Sequence, residues 1–101
     1  MNYTYKNLSA EDKSFLEEYL AKKSERFTTL MQKFTAGDCR LDIRAEKFAT
    51  KAAYKIEMSL HLPGHNLLSA EDDHTVIEAA DLALDKLIIQ LRKLVDKKNN
   101  K

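Results

Sequence analysis

Two different periods of apolar residues run along the chain. Phe15, Leu16, Tyr19, Leu20, Phe27, Leu30, Met31 and Phe34 recur at the spacing of an amphipathic helix. Ser9 and Asp12 precede this run at the spacing of a capping box, in which side chains satisfy the free N–H groups of a helix start. Glu11, Asp12, Glu17 and Glu18 suit the positive end of the helix dipole, and Lys33 suits the other. The pattern predicts a helix of about six turns that stops before Gly37. Ahead of it, Tyr3, Thr4 and Tyr5 within Asn2 to Lys6 predict a short strand.

Strict alternation follows. Cys39, Leu41, Ile43 and Ala45 face one way, and Arg40, Asp42, Arg44 and Glu46 the other. After a basic connection around Lys47 to Lys51 the alternation resumes, with Tyr54, Ile56, Met58, Leu60 and Leu62 inward. Lys55, Glu57, Ser59 and His61 then point outward. Two half-buried strands with one wet face are the direct reading. Pro63-Gly64 supplies the fixed φ and the positive φ of a type II turn, and Asn66 to Ala70 predicts a short return strand.

Thr75 and Glu78 repeat the capping-box spacing. Val76, Ala80, Ala83, Leu84, Leu87, Leu91 and Leu94 then line a second long helix, whose apolar face widens at Ile77, Ile88 and Val95. Lys97 to Lys101 is expected to fray.

The order β-α-β-β-β-α predicts an α+β two-layer sandwich: a four-stranded mixed sheet with two helices packed on one face. The first two strands, joined through a helix, are expected to be parallel, and the later ones, joined by turns, antiparallel. The 101 residues suit a single domain over 1–101, with no repeat or linker.

Composition narrows the class. An apolar fraction of 44% and a charged fraction of 33% describe an ordinary globular chain. Cys39 is the only cysteine, so no internal disulfide forms, and a reducing cytoplasmic setting is expected. Its alternation with core positions favours a small buried thiol over a nucleophile. No apolar run nears the roughly 18 residues of a membrane span, and Met1 to Lys6 lacks a signal pattern.

Catalytic chemistry is hard to place. His61 and His65 are four apart, but on a strand entering a turn that spacing does not converge on a metal. His74 lies just before the second helix, and the three read as surface histidines. Asp72-Asp73 are adjacent residues ahead of a helix, where carboxylates usually cap. Two glycines in the whole chain leave no phosphate-cradling loop. No enzyme, cofactor, metal or small-molecule substrate is expected.

Charge changes the picture through its placement. The net charge of +1, from 17 Lys/Arg and 16 Asp/Glu, taken alone argues against a nucleic-acid binder. Yet residues 66–85 hold six acids and no Lys or Arg, whereas residues 86–101 hold six bases and Asp96. The sign switches in the middle of the second helix. On helical wheels Lys22, Arg26 and Lys33 share one shoulder of the first helix, and Lys86, Lys93 and Lys97 one shoulder of the second. Helices packed side by side would bring such shoulders to a groove that binds phosphates by charge. Lysines flanking a core face also lay their stems over apolar surface with no ligand at all. Lys23 falls inside the apolar face and must reach water or a partner.

The chain resembles the ribosome hibernation promoting factor and protein Y family, also described as sigma-54 modulation proteins. The resemblance rests on Ile56-Glu57-Met58-Ser59-Leu60-His61-Leu62-Pro63-Gly64 and Leu68-Ser69-Ala70-Glu71. It continues through Ala79-Ala80-Asp81, Asp85-Lys86-Leu87 and Gln90-Leu91-Arg92-Lys93, with Tyr19-Leu20-Ala21-Lys22-Lys23 and Arg26 in the first helix. It implies a ribosome-associated translation inhibitor. Such a protein occupies small-subunit ribosomal RNA in the decoding region and blocks messenger and transfer RNA in idle ribosomes. The RNA-facing bases it implies are Lys22, Lys23, Arg26, Lys86, Arg92, Lys93 and Lys97.

Four positions depart from the family pattern. Ile89 and Val95 stand where relatives commonly carry bases, and Thr75 and Ile77 replace a usual Asp and Tyr. The first strand is also short and lacks its usual glycine. The resemblance implies the short form, expected to lack the C-terminal dimerisation domain of long members, so that ribosome pairing would need a separate partner protein. The competing expectation is a diverged, non-catalytic module of the same fold that recognises a protein or another structured RNA.

Overall fold

The computed structural model describes residues 1–99. Its elements are β1 (Asn2–Lys6), α1 (Ala10–Phe34), β2 (Arg40–Lys47), β3 (Tyr54–Leu62), β4 (His65–Asp73) and α2 (Val76–Asn99). The sheet order is β1-β2-β3-β4. β1 runs parallel to β2 with Tyr3 beside Ile43 and Tyr5 beside Ala45, and the two remaining pairs are antiparallel. This is the α+β sandwich that the period changes predict.

Alternation decides which sheet face is covered. Leu41, Ile43 and Ala45 of β2 and Ile56, Met58, Leu60 and Leu62 of β3 are all buried. They join Leu16, Leu20 and Phe27 of α1 and the inner face of α2, from Val76 to Leu91, in one continuous core. Both helices therefore lie on the same side. Every second residue of the strands is left on an open face, which is mostly polar but carries the exposed Leu68.

The helix starts follow half of the predicted capping boxes. Ser9 Oγ accepts from the Asp12 N–H at 3.0 Å, and Thr75 Oγ1 accepts from the Glu78 N–H at 3.1 Å. The reciprocal acids go elsewhere. Asp12 accepts from the Tyr54 hydroxyl at 2.9 Å, which ties the start of α1 to the start of β3. The Glu78 carboxyl lies against that of Asp73 and is held above the usual range by it. Asp73 is lowered, first by the His74 N–H that donates to it.

Several boundaries differ from expectation. β4 runs for nine residues instead of five, because the long β3 offers partners as far as Tyr54 opposite Asp73. α1 ends at Thr35, whose backbone is extended, and Gly37 does not adopt the positive φ of a glycine cap. Gly37 instead passes close to Pro63, where an added Cβ would lie 3.1 Å from the ring. Gly64, with φ +77°, does fit the predicted turn. α2 continues helically through residues 97–99, which were expected to fray; residues 100 and 101 of that expected tail lie outside the described residues. Phe15, taken as part of the apolar stripe, is 47% exposed on its flank.

Candidate nucleic-acid interface

Once Leu16, Leu20 and Phe27 are seated on the sheet, helical spacing turns Lys22, Lys23, Arg26 and Lys33 toward one flank of α1. α2 lies along that flank and runs in the same direction. Near its start the Tyr19 hydroxyl donates to Asp81 across the gap. Farther along, Lys22, Lys23, Arg26, Lys33 and Arg92 of α2 line an open concavity of about 550 Å³, together with Glu25, Thr29 and Leu30.

Five bases thus face one acid. Among the described residues none of the five is ion-paired, and all five are exposed. Lys23 reaches out of the apolar stripe rather than into it. Its Nζ lies 5.8 Å from the Tyr19 ring centroid, within range of a weak cation–π contact. The Tyr19 phenol is pushed up by burial, by its bond to Asp81, and by the charges of Asp81 and Asp85. The groove is therefore acidic toward the start of α2 and basic toward its end.

The bases of α2 do not meet those of α1 as the wheel reading expected. Lys86 pairs with Glu71 of β4, and Gln90, one turn later, donates to the Leu68 carbonyl at 2.9 Å. That shoulder overlies the β4 edge, on the far side of α2 from the groove. Lys93 follows on the same outer surface. Lys97 lines a separate concavity of about 510 Å³ with Phe34, Thr35, Pro63, His65 and Leu94. Of the second-helix bases implied by the resemblance, only Arg92 lines the groove. A wheel gives the angle between two faces of a helix, but not which neighbour lies on which side.

Lys33, which the helical wheel set on the groove shoulder but the resemblance did not name among the RNA-facing bases, also lines the groove. The two departures at family base positions have different fates. Val95 is 5% exposed and belongs to the buried face, whereas Ile89 is 52% exposed.

The open sheet face is the other charged surface, and there the charges are paired. Asp42 receives Asn2 at 3.0 Å, Arg40 at 3.2 Å and His61 at 3.2 Å. Its carboxyl is held below the ordinary range by the Asn2 hydrogen bond first, then by Arg40 and His61. Glu57 takes Arg44 at 2.7 Å and Lys55 at 3.1 Å, and Lys6 pairs with Glu46. Bases already neutralised in this way attract phosphate less than the unpaired five.

His61 also contacts Asn66, and the His65 ring stands edge-on to Phe34. Cys39 is half-buried rather than buried, its thiol turned to the Gly37 carbonyl and raised by burial and Asp38. No three His, Cys, Asp or Glu gather as a metal site among the described residues. None of the helices in that range is long and apolar enough to cross a membrane.

Comparison with known proteins adds family and fold. The model of the family described as sigma 54 modulation protein / S30EA ribosomal protein matches residues 1–99. No curated protein sequence matches the chain. Among solved structures, the protein Y N-terminal domain of Thermus thermophilus is similar, with a TM-score of 0.62 and 20% identity. That match covers 92% of this chain and 98% of the other. A ribosomal subunit interface protein from Coxiella burnetii is similar with a TM-score of 0.56 and 15% identity, over 92% and 96% of the two chains.

Proposed function

Because the chain belongs to the sigma 54 modulation protein / S30EA ribosomal protein family, we propose that it is a ribosome-associated factor that silences idle ribosomes by occupying ribosomal RNA. The observation that carries this reading is the groove, where Lys22, Lys23, Arg26, Lys33 and Arg92 converge around a single acid, Glu25, with none of the five ion-paired among the described residues. Unpaired bases along one track suit an RNA backbone, since each phosphate they neutralise releases counterions. The target is the decoding region of the small subunit, where an occupant excludes messenger and transfer RNA. Lys86 and Lys93 on the β4 shoulder of α2, and Lys97 beside the end of α1, meet a separate stretch of RNA.

Co-sedimentation with purified small subunits over a series of salt concentrations tests the proposal. The wild type binds, and its affinity falls steeply with salt. Replacing Lys22, Arg26 and Arg92 together by Glu abolishes binding, and each single neutral replacement lowers the salt slope by about 0.7 to 0.9. Unchanged binding by the triple variant overturns the groove as the site. Failure to compete with transfer RNA on programmed subunits overturns the decoding-region assignment.

A further inference from the structure

The outer face of α2 carries two large apolar side chains that nothing in the described chain covers. Leu82 is 41% exposed and Ile89 52%. They lie seven residues apart, so they stand two turns apart on one stripe of the helix. Exposed Glu78 begins the same stripe and exposed Lys93 ends it. This stripe is separate from the groove, which α2 enters through Arg92. It shares Lys93 with the bases proposed above to meet RNA, so pairing of copies and RNA contact at Lys93 exclude each other. The stripe coincides with the switch from acids to bases that marks the sequence of this helix.

We propose that this face is self-complementary and pairs with α2 of a second copy of the chain, antiparallel, about a two-fold axis between Asp85 and Lys86. In that register Leu82 of one copy meets Ile89 of the other, and Glu78 meets Lys93. Both contacts occur twice, as a two-fold interface requires. Near the axis Asp85 stays on the α1 side, beside Tyr19, and Lys86 on the β4 side, where Glu71 already holds it, so neither adds to the pairing.

Three observations single out a second copy as the occupant. The stripe is acidic at one end and basic at the other, so an antiparallel copy complements it whereas a parallel one repels it. Antiparallel helices also set opposite dipole ends together. Glu78 crowds the carboxyl of Asp73, and Lys93 of the second copy supplies the neutralising cation beside it. Two apolar residues per copy make a small interface, so association is weak and reversible.

Sedimentation equilibrium from micromolar to millimolar concentrations tests the proposal. The wild type should rise from 11.6 kDa toward twice that mass, with the rise suppressed by salt. Ile89→Lys should remain monomeric throughout. Glu78→Lys alone and Lys93→Glu alone should each be monomeric, since each sets like charges opposite. An equimolar mixture of those two variants restores opposite charges at both contacts and should associate, as should the double variant. Circular dichroism of each variant confirms that these surface changes leave the fold intact. A wild type that stays monomeric up to millimolar concentration overturns the proposal. So does a dimer indifferent to Ile89→Lys, or a mixture that fails to associate.

Discussion

Ser69 is the buried polar side chain of the described core, and its hydroxyl donates to the Ala83 carbonyl of α2 at 2.8 Å. A hydroxyl with a partner can be buried cheaply, and here it pins β4 under α2. Sequence alternation gave no hint of it, because β4 is mostly polar. Gly64 is the opposite case, legible at once beside Pro63. Its φ of +77° is one that a Cβ disfavours, although an added Cβ would meet no atom within 4 Å. Gly64→Ala should therefore cost about 1 kcal/mol, from backbone conformation alone. Urea denaturation measures it, and an Asn at this position should recover part of the loss.

Among the elements, the helix starts show what local sequence can specify. Thr75 Oγ1 accepts from the Glu78 N–H, and its carbonyl from the Ala79 N–H. Thr75→Ala should cost about 1 kcal/mol, with Thr75→Asp neutral or better, as read from thermal unfolding. The return strand shows the limit of local sequence. Glu71, Asp72 and Asp73 have poor strand propensity, yet they complete β4 because Ile56, Lys55 and Tyr54 present the opposite edge. Ladder partners outweigh propensity, and no window of the sequence contains both sides of a ladder.

Across the whole molecule, pH should act from two sides. The carboxyls of Asp42 and Glu57 are lowered in the folded state, the first by Asn2 and the second by Lys55 before Arg44. Groups of this kind stabilise the fold above the unfolded carboxylate value, and the contribution fades as pH falls through their folded values. The phenols of Tyr5 and Tyr19 are raised, by burial first and then by Glu17 and Asp81 respectively. Their contribution is present below the unfolded phenol value and is lost as pH rises through the raised folded values. Asp73 and Glu78, side by side, move in opposite senses. The thermal midpoint should hold across neutral pH and fall below about pH 4 and above about pH 10. Tyr19→Phe should flatten the alkaline limb, because it removes the phenol that bridges α1 to Asp81.

By itself the sequence determined the elements, the N-terminal caps of both helices, the covered face of the sheet and the connection types. Each of these follows from a period of 2 or 3.6 residues, or from a turn residue with one favoured backbone angle. It also contained the family pattern and the charge switch within α2. Only the tertiary structure decided which side of α2 meets α1. That choice placed Arg92 opposite Lys22, Lys23, Arg26 and Lys33, sent Lys86 to Glu71, and left Leu82 and Ile89 facing outward. The reason is physical: a helix repeats its faces by local geometry, but the neighbour each shoulder finds depends on how two distant helices settle over one sheet.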